Sequence, residues 1–197
     1  MAISVDNIKK YISHGEVYVG CAVPPEGTSM FGYASSGVPS GGTHIGATQG
    51  ETTFTYTPTI EGIEIEQSGV PVAPHIVSEE LTITFTCLEP TVSRMQDAFG
   101  SGGVWGPTAG TGAGDVIRLG GLTDVTGQCV AVIAEQPNNK GKYVGAMIYN
   151  AISDGGVTRS FKRGEPAAVE FTLKSFPRTA DLNRADGEQA GQYAQED

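Results

Sequence analysis

Residues 78–99 read SEELTITFTCLEPTVSRMQDAF. Leu81, Ile83, Phe85 and Cys87 alternate with Thr82, Thr84 and Thr86, which is the period of a half-buried strand. Pro90 ends the pattern, because proline is disfavoured inside a strand and tolerated in the first turn of a helix. Behind it Val92, Met95 and Phe99 fall at i, i+3 and i+7 and form one apolar stripe. The spacing predicts a short helix near Thr91–Phe99 packed on the Leu81, Ile83 and Phe85 face. The flanking sequence is strand-like or Gly-rich. The expectation is therefore a mainly β chain, a β-sandwich or partly closed barrel with one short α-helix.

Working outward, Glu16–Cys21 (EVYVGC) reads as a first strand. Residues 22–47 form a long, nearly uncharged Gly/Pro/Ser segment, a length that in a compact domain is usually functional or disordered. Met30, Phe31 and Tyr33 lie in it, and a solvated linker would not need them; they are expected to dock onto a neighbouring subunit. Glu51–Thr57 alternates, with Phe54 and Tyr56 against Thr53, Thr55 and Thr57. Ile60–Gln67 alternates as well, with Gly62 as a candidate bulge. Residues 100–114 hold seven glycines and the only tryptophan, Trp105, and read as a flexible loop with a contact role for Trp105. Asp115–Leu119 is a short strand. Gln128–Glu135 and Lys142–Asn150 form a pair across the turn at 137–141. Val157–Lys162 and Ala167–Ser175 form the last pair, with Phe171 and Leu173 inward. Residues 1–177 are read as one β domain. Residues 178–197, with five acidic and two basic side chains, are read as a disordered acidic tail.

The chain has 197 residues, 28 glycines and a formal net charge of -10. Glycine at twice its usual share implies long turns and loops. The acidic balance argues against binding nucleic acid by phosphate neutralisation. Cys21, Cys87 and Cys129 form no CxxC or Cys/His cluster, and Cys87 and Cys129 read as small core residues. A reducing, cytosolic site of folding fits them. No secretory leader is recognisable at the start, and no apolar run is long enough to span a bilayer, so no membrane role is expected.

The search for chemistry returns little. His14, His44 and His75 are scattered and fit no metal or catalytic frame. The glycines at 110, 112 and 114 lack GxGxxG spacing and a βαβ setting. Glu61, Glu64, Glu66, Glu79 and Glu80 concentrate acid near two strands, which a carboxylate hydrolase would use; a solvated strand face explains them more simply. No enzyme activity, cofactor or metal is expected. What remains is surface, since sheet edges and long loops suit self-assembly.

The order of segments resembles the tail tube (major tail) proteins of long-tailed, non-contractile bacteriophages. The resemblance rests on GEVYVG with the loop after it, on TIEGIEIEQSGVPVAPHIVSEELTITFTCLEPTVSRMQDAFG, and on YNAISDGGVTRSFKRGEPAAVEFTLKSF; it covers about residues 15–177. It implies six-fold rings stacked into a hollow tube in the virion tail, assembled in the host bacterial cytoplasm, with a β-lined channel for DNA. It implies tape measure, tail tip and terminator proteins as partners. Glu64, Glu66, Glu80, Thr82, Thr84 and Thr86 are the expected channel face, because hydroxyl and acidic groups let a polyanion slide where basic groups would hold it. The alternatives are a terminator or adaptor ring, a glycan-binding β-sandwich, and the hydrolase above.

Overall fold

The computed structural model describes residues 15–31, 38–63, 73–88, 91, 104–107, 115–118, 127–136, 139–154, 168–177 and 189–196. The strands in chain order are β1 (Glu16–Val19), β2 (Thr43–His44), β3 (Thr48–Ile63), β4 (Ala73–Cys87) and β5 (Val104–Pro107). They continue with β6 (Asp115–Arg118), β7 (Gln128–Glu135), β8 (Tyr143–Ser153), β9 (Val169–Ser175) and β10 (Gly191–Gln195). No helix occurs among the described residues. The expected helix, with Val92, Met95 and Phe99, lies outside them, as does the expected strand at 157–162.

Eight strands form one antiparallel sheet in the order β2-β1-β7-β8-β9-β4-β3, with β10 also on β8. The sheet curls. Laid flat, seven strands would separate the edges by roughly 29 Å. Yet only residues 45–47 link edge strand β2 to edge strand β3, a reach of at most about 15 Å. Two backbone hydrogen bonds fix that link: Ile45 N–H donates to Val17 O at 2.9 Å, and Leu88 N–H donates to Ala47 O at 2.8 Å.

The curl encloses a core. Val17, Val19, Ile45, Ile83, Phe85, Val130, Ile148, Val169, Phe171 and Leu173 pack there, and the rings of Phe85 and Phe171 lie 5.3 Å apart. The alternation read from the sequence is seen directly: Leu81, Ile83, Phe85 and Cys87 are buried, while Thr82, Thr84 and Thr86 are half-buried. A second cluster covers the other face of β1, β7 and β8. It joins Tyr18, Cys21, Cys129, Ala131, Ile133, Met147 and Tyr149 to Met30 and Phe31. All three cysteines are buried free thiols.

Five readings need correction. Glu51–Thr57 and Ile60–Gln67 are not separate strands. One 16-residue strand runs from Thr48 to Ile63, and Pro58 is tolerated within it because β3 is an edge strand that needs only one ladder. The ladder is irregular at Gln49/Thr53 and at Thr59/Ile60, where Val77 is the extra residue, and not at Gly62. The glycine-rich loop is interrupted, since Val104–Pro107 pairs with Asp115–Arg118. The C-terminal segment is not wholly disordered: Gly191–Gln195 pairs with Val144–Ile148. Backbone hydrogen bonds order that strand, so its lack of large apolar side chains gave no sign of it. Met30 and Phe31 dock onto their own chain, with 1% and 9% of their surface exposed, and need no neighbouring subunit for burial. Tyr33 lies outside the described residues.

Candidate functional site: a threonine face and a bare hairpin

Strand register builds the site. Across β3, β4 and β9, Thr53 stands opposite Thr84 and Thr84 opposite Thr172; Thr55 stands opposite Thr82 and Thr82 opposite Lys174. Thr57 stands opposite Glu80, and Thr86 opposite Glu170. These side chains share the face turned away from the core. Strand spacing sets them about 4.8 Å apart across the sheet and roughly 7 Å apart along it. The result is a lattice of hydroxyls edged by carboxylates.

Of the expected channel residues, Glu80, Thr82, Thr84 and Thr86 come together on this face. Glu64 and Glu66 lie outside the described residues. Thr53, Thr55, Thr57 and Thr172 belong to the same face but were not assigned to it, although the alternation of ETTFTYT and EFTLKS carried the signal.

Lys174 was missed altogether. Among described lysine and arginine side chains, Lys140 and Lys142 lie in the β7–β8 turn, and Lys174 alone lies on the threonine face. Its ammonium is held by Glu80 Oε2 at 2.7 Å, with Asp154 Oδ2 at 4.0 Å. The hydrogen bond to Glu80 raises the Lys174 pKa, so the charge is kept and compensated. Thr82 Oγ1 donates to the other Glu80 oxygen at 3.4 Å.

The β3–β4 hairpin outruns the core. Residues 73–79 of β4 are exposed, while from Leu81 onward every second residue is buried. Ile60 and Ile76 stand opposite one another in the exposed half, at 60% and 53% exposure. Tyr56 is 48% exposed, and its hydroxyl donates to Glu79 Oε1 at 2.6 Å. That bond raises the Tyr56 pKa and keeps the phenol neutral. Glu79 and Glu80 are adjacent in sequence and point to opposite faces, so these two carboxylates do not share a site.

Between this half-hairpin and β10 lies an open groove of ≈ 1040 Å³, lined by Tyr56, Ile76, Val77, Pro177, Gln189 and Tyr193 among others. Tyr193, 67% exposed, stacks on Phe54 with ring centroids 6.5 Å apart.

No protein-family model matches the chain, and no curated protein is significantly similar to it. Function therefore rests on the geometry above.

Trp105 lies on β5, opposite Ile117; its side chain is outside what is described. Among the described residues no group of His, Cys, Asp and Glu is placed to hold a metal ion, and no helix is long and apolar enough to cross a membrane.

Proposed function

We propose that this chain is a self-assembling structural subunit of the tail tube kind. The observation that supports this best is the β3–β4 hairpin. Its inner half carries core on one face and hydroxyls on the other, and its outer half is bare. A two-stranded ribbon is at best marginal in water by itself, and apolar side chains exposed together mark protein contacts. In this reading the outer halves meet neighbouring copies. The rings are hexameric and stack into a tube, with tape measure, tail tip and terminator proteins as partners in a virion tail. The threonine face lines the passage for DNA. Among the described residues of that face, hydroxyls and a cation already paired to Glu80 leave a polyanion no free positive site.

The test is assembly. Concentrated protein, alone and seeded with preformed rings, is followed by sedimentation velocity and negative-stain imaging. Rings or tubes are expected, and Ile60→Asp with Ile76→Asp should give a folded monomer. A wild-type chain that stays monomeric at every concentration and with every seed refutes the reading. The groove favours a second reading, a glycan-binding β-domain that uses the faces of Tyr56 and Tyr193. A monomer that binds oligosaccharides and loses them on Tyr193→Ala would establish that alternative.

A further inference from the structure

Strand β1 breaks its alternation at its end. Val17 and Val19 pack in the first core cluster and Tyr18 in the second. Continued regularly, that period would send Cys21 to the first cluster with the two valines. Cys21 packs in the second instead. Gly20 is the cause: it stands at φ +69, a left-handed conformation that glycine adopts without strain, and it adds one extra residue to the strand. The ladder with β7 runs as far as Val19 opposite Val130. Just past it, Cys21 N–H donates to Cys129 O at 3.1 Å. The bulge therefore turns Cys21 onto the face that Cys129 shares with Ala131 and Ile133.

The two cysteines thus stand opposite one another on one face. That hydrogen bond and standard bond lengths hold their Cα atoms within about 7 Å, and bent bond angles bring them closer. A disulfide spans Cα separations of about 4.4–6.8 Å. Both side chains are covered, at 7% and 5% exposure. Cys21 Sγ donates to Tyr18 O at 3.6 Å, and a thiol is a weak donor, so turning it towards Cys129 gives up little. Cys87 packs inside the curl in the first cluster, with the sheet between it and the other two.

We propose that Cys21 and Cys129 are an oxidisable pair whose disulfide ties the root of segment 22–31 to β7. Local opening of the chain after Cys21 gives an oxidant access. One thiolate of the pair attacks a small-molecule disulfide, forming a mixed disulfide and releasing one thiol. The second thiolate attacks the protein sulfur of that bond and releases the other. Two protein thiols are oxidised, one small disulfide is reduced, and the two protons end on the released thiols. The pair stays reduced in a thiol-rich cytoplasm and closes in oxidising surroundings. On the assembly reading it closes once the particle has left the cell; that timing rests on the reading, whereas the bridge itself does not.

The full chain is equilibrated with oxidised glutathione, once in buffer and once in urea just below the unfolding transition, so that opening is not limiting. Peptide mapping is expected to find Cys21 joined to Cys129 with the loss of two hydrogens, and Cys87 still a thiol. The bridge closes a ring over residues 21–129, so the melting temperature should rise by about 5 °C or more, and dithiothreitol should reverse the rise. Cys87→Ala should bridge as wild type does, and Cys21→Ala should show no such rise. Three thiols after both treatments, or a bridge through Cys87, overturn the pair. A Cys21–Cys129 bridge that lowers the melt overturns it as well, because the folded geometry would then oppose the bond. The bridge is read in the single chain, so the result stands apart from whether rings or tubes form.

Discussion

Gly191→Ala probes the start of β10, where Gly191 pairs with Ile148. A Cβ at Gly191 would stand 2.2 Å from Met147 O and 2.8 Å from Leu81 Cδ1. The leucine tip can rotate aside. The Met147 carbonyl cannot, because β8 is paired at that residue to Ala131 on one side and Gln192 on the other. The strand β10 must therefore lift. Overpacking of this kind costs about 1–3 kcal/mol. Complete release of β10 sets the ceiling: the Tyr193–Phe54 stack contributes about 0.5–1.5 kcal/mol, and each lost backbone hydrogen bond about as much again. A loss of about 2 kcal/mol is expected, or a melting temperature lower by about 4–8 °C in a chain of this size. Hydrogen exchange should localise the damage to Gly191–Gln195 and its partner, Val144–Ile148. Gly141→Ala is the control. Gly141 has φ +83 and open space around it, so only a local turn should suffer. If Gly191→Ala leaves both the melt and the exchange of β10 unchanged, the close approach of Gly191 to β8 is wrong.

Tyr18 offers a pH test. Burial, and then the hydrogen bond that its hydroxyl donates to Glu16 Oε2 at 2.7 Å, push its pKa up to about 12. Tyrosine in the unfolded chain ionises near pH 10. The fold thus favours the neutral phenol, so its contribution to stability is whole below about pH 10 and lost as pH rises towards 12. Absorbance at ~295 nm, where phenolate absorbs, should include a tyrosine with a midpoint of about 12, and Glu16→Gln should bring that midpoint down; a midpoint unmoved by the substitution contradicts the assignment. Glu80→Gln, made together with Asp154→Asn, should leave the melt almost unchanged, since exposed ion pairs contribute little, yet free Lys174 on the threonine face. Assembled particles should then retain duplex DNA at low salt, with the log–log salt dependence steeper by about 0.9 per lysine engaged. Equal retention by wild type and variant would remove Lys174 compensation from the account.

Side-chain alternation made some of this legible in the sequence and left the rest hidden. LTITFTC told which residues of β4 are buried, and EFTLKS did the same for β9, because one period fixes both faces of a strand. The same pattern could not tell which strands are neighbours. Thr53, Thr84 and Thr172 come from three distant segments, and only the register makes them one surface. Lys174 was invisible for the same reason: its partners, Glu80 and Asp154, are distant in sequence. Strand β10 was hidden more deeply, since GQYAQ has little to bury and is held by its backbone. Met30 and Phe31 were rightly seen as docking residues but given the wrong partner, because composition shows that a side chain needs cover without showing whose.

That last error sharpens the case for the hairpin. Burial was the argument for sending Met30 and Phe31 to a neighbour, and their own chain turned out to supply it. The same criterion applied to Ile60 and Ile76 gives the opposite result. They face each other across the ladder, and their own chain leaves more than half of each side chain in water. The paired strands run on past the last buried position, Leu81, for the whole of residues 73–80. Strand order therefore persists where intramolecular burial has stopped. On the assembly reading this is where a second copy supplies the missing cover.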